Sequence, residues 1–192
     1  MSREIFRPII ERLVRIGVDR HEATRFASNL AHKTYRAKEF IFNEGDKLPD
    51  IAYLLSGYVQ ISDTDEQGET NVAIFAGKHD FVGCIQATLY ERPAQYSAQC
   101  ITDCRVIVID HHRQSVVKSN HQHFHFLHDI IVRHLIALSR EKTALLPLKA
   151  KERYLYFREH HPELTQHIPA GLIANYLGIR PQSLSRIKQS LK

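Results

Sequence analysis

The stretch IANYLGIRPQSLSRIKQSLK, residues 173 to 192, sets Arg180, Gln182, Ser183, Ser185, Arg186 and Lys188 close together. Side chains of this kind read and hold nucleic acid: an Arg fork fits guanine, Gln fits adenine, and Ser or Lys holds phosphate. Leu184, Ile187 and Leu191 recur among them at helical spacing, so the polar set falls on the outer face of an amphipathic helix. Pro181 starts that helix with φ already set, and Gly178 supplies a tight turn ahead of it. Upstream, Pro169 can serve as a first helical residue, and Leu172, Ile173 and Leu177 form an apolar face. The segment therefore reads as helix, turn, helix, an arrangement that places the start of its second helix against base edges in a major groove.

Charge points to the same partner. Residues 1 to 148 hold 18 Lys and Arg and 18 Asp and Glu, whereas residues 149 to 192 hold eight against three. The whole excess of +5 sits in the last 44 residues, as expected for a module that meets a polyanion. Lys149, Lys151 and Arg153 are expected to add phosphate contacts. A membrane surface fits poorly, because these helices lack an aromatic-rich apolar face with a basic rim.

Two further constellations could carry chemistry. DFVGCIQATLYERPAQYSAQ, residues 80 to 99, reads as a turn-rich loop between strand-like runs, with Gly83 where backbone could approach a ligand. His121, His125 and His128 share one helix face, where a pair at i, i+4 can bind a divalent metal. No Asp, Glu or Cys joins them at ligand spacing, so a polar helix start is the expected reading, without metal or cofactor. Cys84, Cys100 and Cys104 are odd in number and lack CxxC spacing, and read as small core residues. No GxSxG, Walker loop, HExxH or paired-carboxylate arrangement is present, so no enzyme is expected.

The elements that must position these groups follow from periodicity. Ile9, Leu13, Ile16, Phe26 and Leu30 give two short helices, with Asp19 a candidate N-cap. From Tyr35 the period changes: EFIFNEGDK, IAYLLSGYVQIS, NVAIFAGKHDFVG, YSAQC and CRVIVID are short strand-like runs separated by turn signals. They imply a small antiparallel barrel or sandwich. After Asp110 the pattern is helical to about residue 146, with Phe124, Leu127, Ile131, His134, Leu138, Glu141 and Leu145 at successive a and d sites. That spacing predicts a seam for a second helix, and hence a homodimer. Pro147 ends the helix. The expected fold is α+β, with domain bounds at 1–120 for helices plus β-barrel, 121–146 for the dimerisation helix, and 147–192 for the helix-turn-helix.

Over nearly its whole length the chain resembles the Crp/Fnr superfamily of bacterial transcription regulators. AKEFIFNEGD at 37 to 46, AYLLSGYVQI at 52 to 61, DFVG at 80 to 83 and IANYLGIRPQSLSRI at 173 to 187 carry the resemblance, most nearly to the short members of Bacteroidetes-type bacteria. It implies a homodimer with a cyclic-nucleotide-binding-like barrel that binds a palindromic DNA operator. In nucleotide-responsive members the loop after DF.G holds a Glu for the ribose hydroxyl and an Arg followed by Ser for the cyclic phosphate. Here Cys84 follows Gly83, and Tyr96 precedes Ser97. Both charged anchors are missing, so Gly83, Cys84, Tyr96 and Ser97 are expected to form a degenerate pocket that does not answer to cyclic AMP, with any effector unidentified. The sequence stops at Lys192 without the closing hairpin of many members, which puts wing contacts with DNA in question. With no run of about 18 apolar residues and charge in MSREIFRPII where a signal peptide needs an apolar core, a cytoplasmic protein with no membrane partner is expected. The rival reading is a small-molecule or metal sensor that acts through protein partners.

Overall fold

The computed structural model describes residues 2–110 and 121–191. Helices α1 (Ser2–Ile5), α2 (Arg7–Arg15) and α3 (Arg20–Ser28) open the chain. The Asp19 carboxylate caps α3 by accepting from the His21 and Glu22 amides at 2.9 and 3.2 Å, satisfying donors the first turn leaves without partners. Ile9 and Leu13 are buried with Tyr53 and Ile107 of the neighbouring sheet.

Strands β1 (Ala31–Tyr35), β2 (Phe40–Phe42), β3 (Ile51–Ser56), β4 (Val59–Thr64), β5 (Thr70–Ala76), β6 (Phe81–Val82), β7 (Ser97–Cys100) and β8 (Cys104–Ile109) follow. They form two antiparallel four-stranded sheets, β1-β8-β3-β6 and β2-β7-β4-β5. The expected barrel is therefore not closed, because the outer strands of the two sheets do not pair with one another. Leu54, Val59, Val82 and Val106 fill the space between the sheets together with Cys84, Cys100 and Cys104, all three of them free thiols. Strand β1 escapes sequence reading: AHKTY shows almost no buried face, and pairing to β8 from Ala31↔Val108 to Tyr35↔Cys104 holds it. The loop expected over residues 80 to 99 contains a helix, α4 (Ile85–Tyr90).

The remaining helices are α5 (His121–Leu145), α6 (Ala150–His160), α7 (Pro162–His167), α8 (Ala170–Tyr176) and α9 (Pro181–Gln189). Pro147 and Pro162 follow the ends of α5 and α6, as their fixed φ and missing N–H require. A third core joins Leu145, Tyr154, Phe157, Ile173, Leu177 and Leu184 to Val72 of β5. No described helix is long and apolar enough to cross a membrane.

Candidate nucleic-acid interface and sheet-domain cavity

Helix α8 buries Ile173, Ala174 and Tyr176. Pro169 lies one residue before its first turn as the N-cap, rather than inside the helix as expected. Gly178, at φ +64°, takes the left-handed conformation that turns the chain toward α9. Pro181 is the first residue of α9, and Leu184, 1% exposed, anchors it. Arg180, Gln182, Ser185 and Arg186 stand exposed along its outer face, and none of their side chains has a hydrogen bond or ion pair among the described residues. Ser183 and Lys188, expected beside them, are half-buried at the flanks.

Arg153 corrects an expectation. Its guanidinium is spent inside the protein, donating from Nε to the Leu148 carbonyl at 2.9 Å and from Nη1 to the Leu177 carbonyl at 3.1 Å. Leu177 closes α8, where carbonyls lack intrahelical partners, so Arg153 staples α6 to the turn instead of meeting phosphate. Lys149 and Lys151 remain exposed.

The helical module does not swing free of the sheets. β5 is an edge strand, and the Asn175 side chain satisfies that edge twice. Its Oδ1 accepts from the Val72 amide at 2.7 Å, and its Nδ2 donates to the Thr70 carbonyl at 2.7 Å. One amide thus does what a neighbouring strand would do. Around it the Phe75 ring meets Tyr176 and Phe157 at centroid distances of 5.2 and 6.2 Å, and Tyr58 stacks on His167 at 5.2 Å. No sequence signal identifies Asn175, which sits inside a helix where Asn is an ordinary weak former.

The lower end of α5 joins this contact. Glu141 accepts from His161 at 2.9 Å and from the Tyr176 hydroxyl, and Leu145 enters the third core. The last two heptad sites are therefore packed on their own chain and are unavailable to a partner helix. Ile131 and Leu138 also turn toward the sheets, where they line a cavity, while the side chains of Phe124, Leu127 and His134 lie outside the described residues, as do those of His121 and His125. His128 is exposed.

Burial would raise the Glu141 carboxyl, but the hydrogen bonds from His161 and Tyr176 outweigh it and hold the carboxyl below its ordinary 4.5. A group with a depressed folded-state value contributes stability above its unfolded value and loses it as pH falls through the folded one. Docking of the helical module is thus expected to be full above pH 4.5 and to weaken in more acidic solution. Thermal unfolding followed from neutral to acidic pH checks this, and Glu141→Gln should flatten the dependence over that window.

The cavity, of about 700 Å³, lies between the sheets and α5. Gly83 and Tyr96 line it, whereas Cys84 is fully buried in the core and Ser97 is turned away to accept from the Glu44 amide at 2.9 Å. Gly83 approaches its own chain: a Cβ there would come within 2.9 Å of Ile51. The Tyr96 hydroxyl donates to the Gly83 carbonyl at 3.1 Å and accepts from the Ile85 amide at 3.4 Å. It thus takes up the first backbone donor of α4, and burial pushes the phenol up to about 12, so it stays neutral. Sequence reasoning missed Arg12 in this cavity. The signal was present, since Arg12 falls on the same helical face as Ile9, Leu13 and Ile16.

Comparison with known proteins bears on both sites. Residues 32–115 match the cyclic nucleotide-binding domain family. The cAMP-activated global transcriptional regulator CRP of Haemophilus influenzae is 25% identical over 175 residues, covering 84% of this chain and 76% of the relative. Residues 32–115 thus fall to that domain family, and the chain as a whole is similar to regulators of the Crp/Fnr type. Two solved structures share the Crp/Fnr fold over most of its length. The c-di-GMP responsive global regulator CLP of Xanthomonas campestris has a TM-score of 0.69 at 20% identity, covering 90% of this chain and 91% of that one. FixK2 of Bradyrhizobium japonicum has a TM-score of 0.72 at 18% identity, covering 84% of each chain. The Haemophilus influenzae relative is a transcriptional regulator, and the two solved structures share the fold found here.

Proposed function

We propose that the protein is a homodimeric, sequence-specific DNA-binding transcription regulator in which α9 is the recognition helix and the sheet domain does not respond to cyclic AMP. The observation that carries the reading is the exposed, unpartnered row of Arg180, Gln182, Ser185 and Arg186 on a helix anchored from below by Leu184. Groups without intramolecular partners keep their hydrogen-bonding capacity for base edges. Pairing through α5 is supported by Leu135 and Ile136, which are 52% and 46% exposed, more apolar surface than a solvated helix face needs. The domain bounds of 1–120, 121–146 and 147–192 form part of this proposal.

Arg186→Ala is expected to weaken binding to the preferred operator by about 1–3 kcal/mol while leaving affinity for random duplex nearly unchanged. Titration of both duplexes checks it, and equal loss on both would make Arg186 a phosphate contact. Refusal of cyclic AMP rests on Cys84 and Tyr96 standing where the family's charged anchors stand, and on the Tyr96 hydroxyl occupying the Ile85 amide. At Tyr96 no cationic side chain meets a cyclic phosphate, which there forfeits a charge-assisted bond. Calorimetric titration with cyclic AMP is the test, and saturable binding at micromolar concentration would overturn this part.

A further inference from the structure

If the cavity does not take a cyclic nucleotide, its own walls state what would fit. Phe81, Ile109, Ile131, Leu135 and Leu138 make its lining largely apolar, and its 700 Å³ is in the range that holds a small organic molecule. Among the described residues Arg12 is the only lysine or arginine on its lining, which also carries Asp63, His79 and Asp80. The Asp80 carboxylate is turned to the Gly77 amide, from which it accepts at 2.8 Å. Arg12 is not so occupied: its Nε is shut away from solvent and has no hydrogen-bond partner among the described residues. The Gln86 carbonyl oxygen, on the same lining, is equally unpartnered. Arg12 makes no ion pair among the described residues, so its guanidinium keeps its charge for an incoming anion.

A phosphomonoester dianion would leave one charge uncompensated on a single guanidinium, and a cyclic nucleotide, singly charged, would set a polar sugar and base against the apolar lining. A single carboxylate matches one guanidinium fork and gains a charge-assisted pair. We propose that this cavity binds a largely apolar monocarboxylic acid, its carboxylate on Arg12 and its hydrocarbon body against α5. The inference deepens the reading of the sheet domain as an effector domain, naming the class of effector and the residue that selects it.

Displacement of a dansylated fatty acid from the full-length protein tests it. Dodecanoate is expected to displace the probe at least about tenfold better than dodecanol, the advantage of one charge-assisted bond, with cyclic AMP without effect. Arg12→Met should remove that preference and Arg12→Lys should restore part of it. Equal displacement by the acid and the alcohol, stronger displacement by cyclic AMP, or no saturable probe binding would each overturn the proposal. So would probe binding that disappears in the dimer, which would mean that a second copy fills the cavity. Should Arg12→Met fail to fold, the comparison of acid, alcohol and nucleotide on the unaltered protein still decides. DNA binding is measured on the same preparation, so failure of the effector assignment leaves the regulator reading separately tested.

Discussion

Asn175→Ala is expected to release the helical module from the sheet domain. The substitution removes both hydrogen bonds to the β5 edge and leaves the Val72 amide, at a residue only 5% exposed, without its partner. Two lost bonds plus an unsatisfied backbone donor amount to about 2–4 kcal/mol of docking free energy. Hydrogen exchange at the Val72 amide should accelerate by orders of magnitude, while amides in the β3–β8 pairing keep their protection. The functional consequence follows from where β5 lies. Ala73 and Ile74 of that strand line the cavity, and Thr70 and Val72 hold Asn175, so one strand touches both the proposed effector and the module that presents α9. The variant should therefore bind operator DNA with an affinity that no longer depends on what fills the cavity. Unchanged exchange at Val72 would show that the aromatic contacts of Phe75 alone hold the module, and would move the coupling away from Asn175.

Gly57→Ala is expected to have the larger effect on folding. Gly57 separates β3 from β4 at φ +94°, and a Cβ there would lie 2.5 Å from both the Asp103 carbonyl oxygen and the Cys104 sulfur. The nearest obstacles include backbone, so the neighbour cannot simply rotate away. Left-handed strain and overpacking together cost about 3 kcal/mol or more. Denaturant unfolding should show the loss as a lowered midpoint with unchanged slope. A cost below about 1 kcal/mol would mean that the β7–β8 turn yields easily.

Much of this architecture was legible because it is written in local chemistry. The Asp19 cap, the Gly178 turn, the Pro181 start and the anchor at Leu184 each depend on residues within a few positions of one another, and spacing reports such relations directly. β1 was hidden because its partner β8 lies 69 to 77 residues away and its own residues carry no alternation. The short α4 was masked by turn-forming neighbours. The heptad spacing has a related limit: Ile131, Leu138, Glu141 and Leu145 do lie on one helical stripe, but the same stripe can face a partner helix, a sheet or the chain's own following module. Only tertiary placement decides, and here those four residues turn to their own chain. Arg153 shows the same limit for charge, because composition counts it as a basic residue while two carbonyls already hold its Nε and Nη1. For the pocket proposed to be degenerate, Cys84 and Tyr96 were visible in the sequence, but the hydroxyl of Tyr96 on the Ile85 amide was not.

The central claim is that α9 reads a DNA sequence in the context of a dimer. Selection of random duplexes on the purified, ligand-free protein, with sequencing of the retained pool at low and moderate salt, addresses it most directly. The account predicts an enriched palindrome with half-sites about one helical turn apart, and affinity that falls steeply with salt as counterions are released. A pool that stays random at both salt concentrations, even with the cavity saturated by a carboxylic acid that binds it, would contradict the claim and leave the helical module as a surface for a protein partner.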